Sequence, residues 1–237
     1  MKVLLTLLFA GKFGKILITG GSMIVSIFAY SLVFGWGYAV GLVLLIFAHE
    51  MGHFLAARQR GLNVGTPAFI PFVGAWIALK ETPLDVETEA YIGFAGPFVG
   101  TIATLCVYII ARKYESDLFL ALAYAGFFIN LFNLIPISPL DGGRITAVLT
   151  PRIWFIGTPI LIIAFFYFHS PVLILVAILA LPQLKIAWSY NSNDVDNQRY
   201  YGISGEHKVM YTFYYLTLVV FLSAMCHSIY EIIGRGY

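Results

Sequence analysis

The sequence predicts an all-α polytopic membrane protein with about six to seven transmembrane helices and a short re-entrant β-hairpin after the second. Three observations carry this. Of the 237 residues, 60% are hydrophobic and only 11% are charged, against roughly 45–50% and about 25% in soluble domains. Apolar stretches of about the length that crosses a bilayer recur along the whole chain. One further apolar stretch is too short to cross and too rich in proline and glycine to be helical. So few charges could not cover the surface of a soluble fold of this size.

The first expected span runs from Ile16 to Phe34, and Gly35-Trp36-Gly37 reads as a short turn. Residues before it resemble a signal peptide, but Lys12 and Lys15 follow at once and no small-residue cleavage site is visible. An uncleaved interfacial segment is therefore expected. The second span runs from Tyr38 to about Ala57 and ends at Arg58, Arg60 and Gly61. A third covers Ala90 to Ala111, and a fourth Leu118 to Ile135, broken by Pro136 and Pro139. A fifth (Ile153–Phe168) and a sixth (Val172–Trp188) flank the turn His169-Ser170-Pro171. A last helix covers Val209 to Ile233. Between the second and third spans, Gly65 to Lys80 is apolar but holds Pro67, Pro71 and Gly74. A re-entrant hairpin or short strands fit, and non-helical backbone at membrane depth implies a cavity nearby.

Loop charges orient the chain. With the N-terminus in the cytoplasm, Lys2, Lys12, Lys15, Arg58, Arg60, Lys80, Arg144, Arg152, Lys185, Arg199 and Lys208 fall inside. Arg112, Lys113 and Arg235 fall outside. The ends of spans two and four then share the cytoplasmic side. The net charge is only +2, and no basic run suggests nucleic acid. Cys106 and Cys226 lie in apolar stretches and read as buried free thiols.

His49-Glu50-Met51-Gly52-His53 fits H-E-x-x-H. On a helix, residues i and i+4 share a face, so both imidazoles can reach one zinc ion. Glu50 is placed to take a proton from water activated there. Three ionisable residues within five positions of a membrane span point to function rather than to a cap snorkelling towards the headgroups. A zinc site with an open position needs a third protein ligand. Asp141, in Leu140-Asp141-Gly142-Gly143-Arg144, is the best candidate because it shares the cytoplasmic side. By itself it reads better as the N-cap of a following helix, and the histidines turn the balance to a ligand. Asn133, a lone amide in an apolar span, could bond a neighbouring helix or meet a substrate backbone or oxyanion. His169, His207 and His227 lack a second ligand at useful spacing. Glu87 and Glu89 read as solvated loop charges, and Gly93, Gly96 and Gly100 as small residues for close helix packing.

These motifs in order (the histidine motif in one span, Gly96-Pro97 in the next, Asn133 through Gly143 after it) resemble the site-2 protease family of intramembrane zinc metalloproteases, the M50 class. The resemblance covers the chain from the first span to about Arg144. It implies one zinc ion held within the membrane by His49, His53 and Asp141, with Glu50 catalytic and Asn133 holding substrate or the oxyanion. It also implies that Ala68 to Leu79 is the family's hairpin, and that substrates are membrane-anchored proteins cut in or near a transmembrane segment. A minimal form is expected, without PDZ or CBS domains, since Gly61 to Glu89 is too short for a PDZ domain. Residues 1–189 would form the protease core, 190–208 a cytoplasmic polar loop and 209–237 the last span. The expected setting is a bacterial inner membrane. Two other classes compete: an inactive protein that binds membrane segments, and a metal transporter using the same three ligands.

Overall fold

The computed structural model describes residues 2–72, 74–76 and 83–235, with side chains for 18–72, 75 and 83–234. Nine α-helices and one two-stranded hairpin are present among them. The first two helices are α1 (Lys2–Phe34) and α2 (Trp36–Gln59), and the hairpin strands are β1 (Ala68–Ile70) and β2 (Gly74–Trp76). Helices α3 (Val86–Tyr114) and α4 (Asp117–Asn133) follow, then the short α5 (Asp141–Thr146). After a 3₁₀ turn at Pro151–Ile153 come α6 (Trp154–Phe168), α7 (Pro171–Ser189), α8 (Val195–Tyr201) and α9 (Gly205–Arg235).

Each of the seven expected spans lies on a helix. Five helical segments have the length and apolar composition to cross a membrane: those of α2, α3, α7, α9, and α6 with its leading 3₁₀ turn. Helix α4 is apolar and slightly shorter, as is the part of α1 whose side chains are described, Ile18–Phe34. The protein is thus an all-α polytopic membrane protein. Helix α1 runs unbroken from Lys2, so the expected interfacial segment and first span are one helix. Only Gly35 separates α1 from α2, and its φ of 81° is readily available only to glycine.

The 17 residues of α4 rise about 26 Å at 1.5 Å per residue, short of the roughly 30 Å hydrocarbon core. Proline at 136 and 139 prevents continuation, and the chain passes irregularly from Leu134 to Leu140 before α5. That stretch is largely buried in protein, as irregular backbone at depth requires. The Tyr215 hydroxyl donates to the Leu134 carbonyl at 2.7 Å, and Trp154 Nε1 donates to the Gly143 carbonyl at 2.9 Å. A Cβ on Gly142 would lie 2.2 Å from the Leu134 carbonyl oxygen, and one on Gly143 2.1 Å from Ser138 N. The two glycines let α5 fold back onto the segment before it.

Helices α2, α3 and α4 pack closely, with α5 against α3, α9 against α4, and α6 paired with α7. The antiparallel hairpin pairs Ala68 with Trp76, Phe69 with Ala75 and Ile70 with Gly74. Val73 and residues 77–80 of the expected stretch lie outside the described residues. Hydroxyls of α1 satisfy the outer edge of β1. Thr19 donates to the Pro67 carbonyl at 2.6 Å, the Phe69 amide donates to Ser22 at 3.0 Å, and the Phe72 amide donates to Tyr30 at 3.1 Å. The 190–208 segment holds α8, capped by Asp194, and the first turn of α9.

Two expectations need correction. Glu87 and Glu89 are not free in solvent: they lie half-buried in the first turn of α3. Glu87 meets His207 at 3.1 Å and Arg60 at 3.9 Å, and Glu89 meets Arg144 at 3.6 Å and the Tyr200 hydroxyl. Burial, then the Glu89 carboxylate, pushes the Tyr200 phenol up, so it stays a protonated donor. Cys106 and Cys226 are both free thiols, but Cys106 is exposed on α3 rather than buried.

Candidate metal centre

Helical spacing places His49 and His53 one turn apart on α2, and both are buried. Their Nε2 atoms lie 3.1 Å apart. The short α5 brings Asp141 to them from the other side of the core. Its Oδ2 is 3.2 Å from His49 Nε2 and 3.2 Å from His53 Nε2. Asp141 does not act as a helix cap. The N-cap position belongs to Leu140, and Asp141 is the first residue of α5. Its other oxygen, Oδ1, lies 3.7 Å from Arg144.

The other ring nitrogens decide what the three atoms offer. His53 Nδ1 lies 2.8 Å from the Ile92 carbonyl oxygen, which can only accept. His49 Nδ1 lies 2.8 Å from Asn130 Oδ1, also an acceptor. With its Nδ1 proton so engaged, a neutral imidazole presents a lone pair at Nε2. Two lone pairs and a carboxylate oxygen thus converge in a buried space and would repel one another without a cation. Ligands about 2.0–2.1 Å from a tetrahedral zinc ion stand about 3.3 Å apart. The donor set therefore fits zinc. Glu50 is half-buried and offers a carboxylate oxygen within 4.8 Å of a ring nitrogen of each histidine.

Glycines make this approach possible. A Cβ on Gly96 would lie 2.2 Å from His53 Nε2, and one on Gly52 2.3 Å from the Ala95 carbonyl oxygen. The expected packing stripe on α3 is thus more specific than packing alone, since Gly96 leaves space for an imidazole.

The structure brings together His49, Glu50, His53 and Asp141. Asn133 lies in the last turn of α4 and donates from Nδ2 to the Ile129 carbonyl at 3.0 Å. The amide touching the histidine pair is Asn130, which sequence reasoning missed. Its signal was a second amide three residues before Asn133 in an apolar span, one helical turn away. His207 pairs with Glu87, and His169 caps α6 in a left-handed conformation.

Residues 37–115 match peptidase family M50. The matched segment holds His49, Glu50, His53 and Gly96, and ends before α4 and Asp141. A site-2 protease from Methanocaldococcus jannaschii is similar in structure, at 23% identity and a TM-score of 0.49, covering 73% of this chain and 89% of that one. No curated protein sequence matches the chain.

Proposed function

We propose that this protein is a zinc-dependent intramembrane endopeptidase of the M50 type that hydrolyses peptide bonds in or near transmembrane segments of membrane-tethered proteins. The observation that carries the proposal is the convergence of His49, His53 and Asp141 beside Glu50 inside a membrane helix bundle. Two imidazoles and one carboxylate with one position open are the donor set of a catalytic zinc site. When bound there, one zinc ion per chain would supply Lewis-acid polarisation of the scissile carbonyl and of water.

In this reading the protein's own groups do the rest. His49, His53 and Asp141 hold the ion. Glu50 takes a proton from the attacking water and returns it to the leaving amine. Asn133 uses one amide proton on Ile129, which leaves Oδ1 and its second N–H for a substrate backbone. Because α1 hydroxyls occupy the edge of β1, an extended substrate would add to β2, the strand that packs against α2. A helical substrate must unwind first, since its amides are already bonded and covered. The charge bias supports a cytoplasmic N-terminus and access from the cytoplasmic side of a bacterial inner membrane.

The test is Glu50→Gln, purified alongside wild type and co-expressed with single-span membrane proteins. Zinc should stay at one per chain, and cleavage should fall by about 10²–10⁴-fold. Undiminished cleavage would remove Glu50 from the chemistry. A wild-type protein without zinc would point instead to a non-enzymatic binder of membrane segments, and metal uptake by proteoliposomes to a transporter.

A further inference from the structure

His53 and His49 are oriented in different ways. The Ile92 carbonyl, part of the α3 backbone, takes the Nδ1 proton of His53 at 2.8 Å. The corresponding partner of His49 is one side chain, Asn130, which is 3% exposed on α4. The Asn130 amide has a single sensible direction. Its Nδ2 donates to the Gly126 carbonyl at 2.8 Å, and a carbonyl can only accept. Oδ1 is thereby turned to His49 Nδ1. An acceptor at that place keeps the His49 proton on Nδ1 and leaves the Nε2 lone pair facing His53 Nε2 and Asp141 Oδ2.

We infer that Asn130 is the positioning residue for His49, fixing its tautomer and ring orientation for metal binding. The inference rests on the zinc reading above. Gly100 completes the arrangement, since a Cβ there would lie 2.4 Å from Asn130 Oδ1. The unit is therefore Gly126 carbonyl, Asn130 amide and His49 imidazole, with Gly100 leaving the amide its space. A purely structural role, as a polar tie between α4 and α2, makes a different prediction. It would need a hydrogen bond of either polarity, whereas positioning needs an acceptor opposite Nδ1.

Asn130→Leu and Asn130→Asp separate the two. Leucine has similar size and no acceptor. A protonated aspartic acid can donate to Gly126 and still accept from His49. Full-length protein in detergent is stripped of metal and titrated with zinc against a chelator, and with cobalt(II) read by its visible absorption. Asn130→Leu should bind zinc about 10–100-fold more weakly, the usual cost of losing a partner behind a ligating histidine, with an altered cobalt spectrum. Asn130→Asp should keep affinity within a few-fold of wild type and the wild-type spectrum. Wild-type affinity in Asn130→Leu would overturn the inference. So would a loss of tenfold or more in Asn130→Asp, which decides the matter alone should the leucine variant not fold. Failure of the wild type to bind either metal would instead sink the zinc reading, and the positioning role with it.

Discussion

In the most apolar window of α2, 50% of residues are buried against other parts of the protein, while in those of α6 and α7 only 22% are. The two regions are similarly hydrophobic in sequence, yet they are built differently. Between α2, α3 and α4 the contacts run through glycine: Gly41 against Leu122, Gly52 against Ala95, Gly96 against His53 and Gly126 against Thr104. Helices α6 and α7 present Ile162, Ile163, Phe166 and Leu181 outward, where lipid is the natural partner. In a bilayer, apolar side chains gain little by leaving lipid for protein, so helices approach where small residues let them. Hydrophobicity therefore marks a span, whereas notches and buried polar groups mark the part of it that holds a site.

Gly96→Ala tests this division most severely. The added Cβ would lie 2.2 Å from His53 Nε2 and 2.3 Å from Cε1. Helix backbone and imidazole cannot both stay in place. Zinc content of the purified protein should fall at least about tenfold, as when a metal-orienting group is lost, and cleavage should fall with it. The same change at Gly21, which has nothing within 4 Å of the added carbon, should leave zinc unaltered. Equal zinc in both variants would show that the notch does not position His53.

A smaller effect is expected from Leu161→Ala, which empties part of the contact between α6 and α7. Leu161 is buried among Leu173, Val176 and Ala180 of the same apolar cluster. In a membrane the transfer part of the usual leucine-to-alanine cost is muted, leaving mainly the cavity part, about 1–3 kcal/mol. Thermal unfolding in detergent should shift downward while zinc content stays at the wild-type level. Loss of zinc here would mean that the α6–α7 pair is part of the site's frame.

The span pattern was legible because bilayer thickness imposes a length on every helix, and all seven expected segments are helical. The histidine pair was legible because a five-residue motif on a helix determines its own geometry. Its convergence with Asp141 depended on a tertiary fact. Residues 49 and 141 meet where Gly142 and Gly143 let α5 fold back against the segment before it. Asn130 could not be chosen over Asn133 without knowing which side of α4 faces α2, since both stand in the same apolar run. Glu87 and Glu89 were misread for the same reason, their side-chain partners lying more than fifty residues away in three of the four contacts: His207, Tyr200 and Arg144.

The subtlest prediction concerns the boundary between the two regions. Tyr200 of α8 donates to Glu89, Glu89 faces Arg144 at 3.6 Å, and Arg144 lies 3.7 Å from Asp141 Oδ1. The chain of contacts thus runs from a surface helix to a candidate ligand. The links after the first are long, and Asp141 meets the histidines through its other oxygen, Oδ2. Tyr200→Phe should therefore loosen α8 without disturbing the metal. A hydrogen bond to a charged acceptor contributes about 1.5–3 kcal/mol, and half-burial of the pair places this one near the lower end. Hydrogen exchange over residues 195–201 should quicken by about tenfold, with zinc affinity within twofold of wild type. A zinc loss comparable to that of Gly96→Ala would move α8 from the scaffold into the site, and would make the Glu89–Arg144 pair the means by which a surface helix controls Asp141.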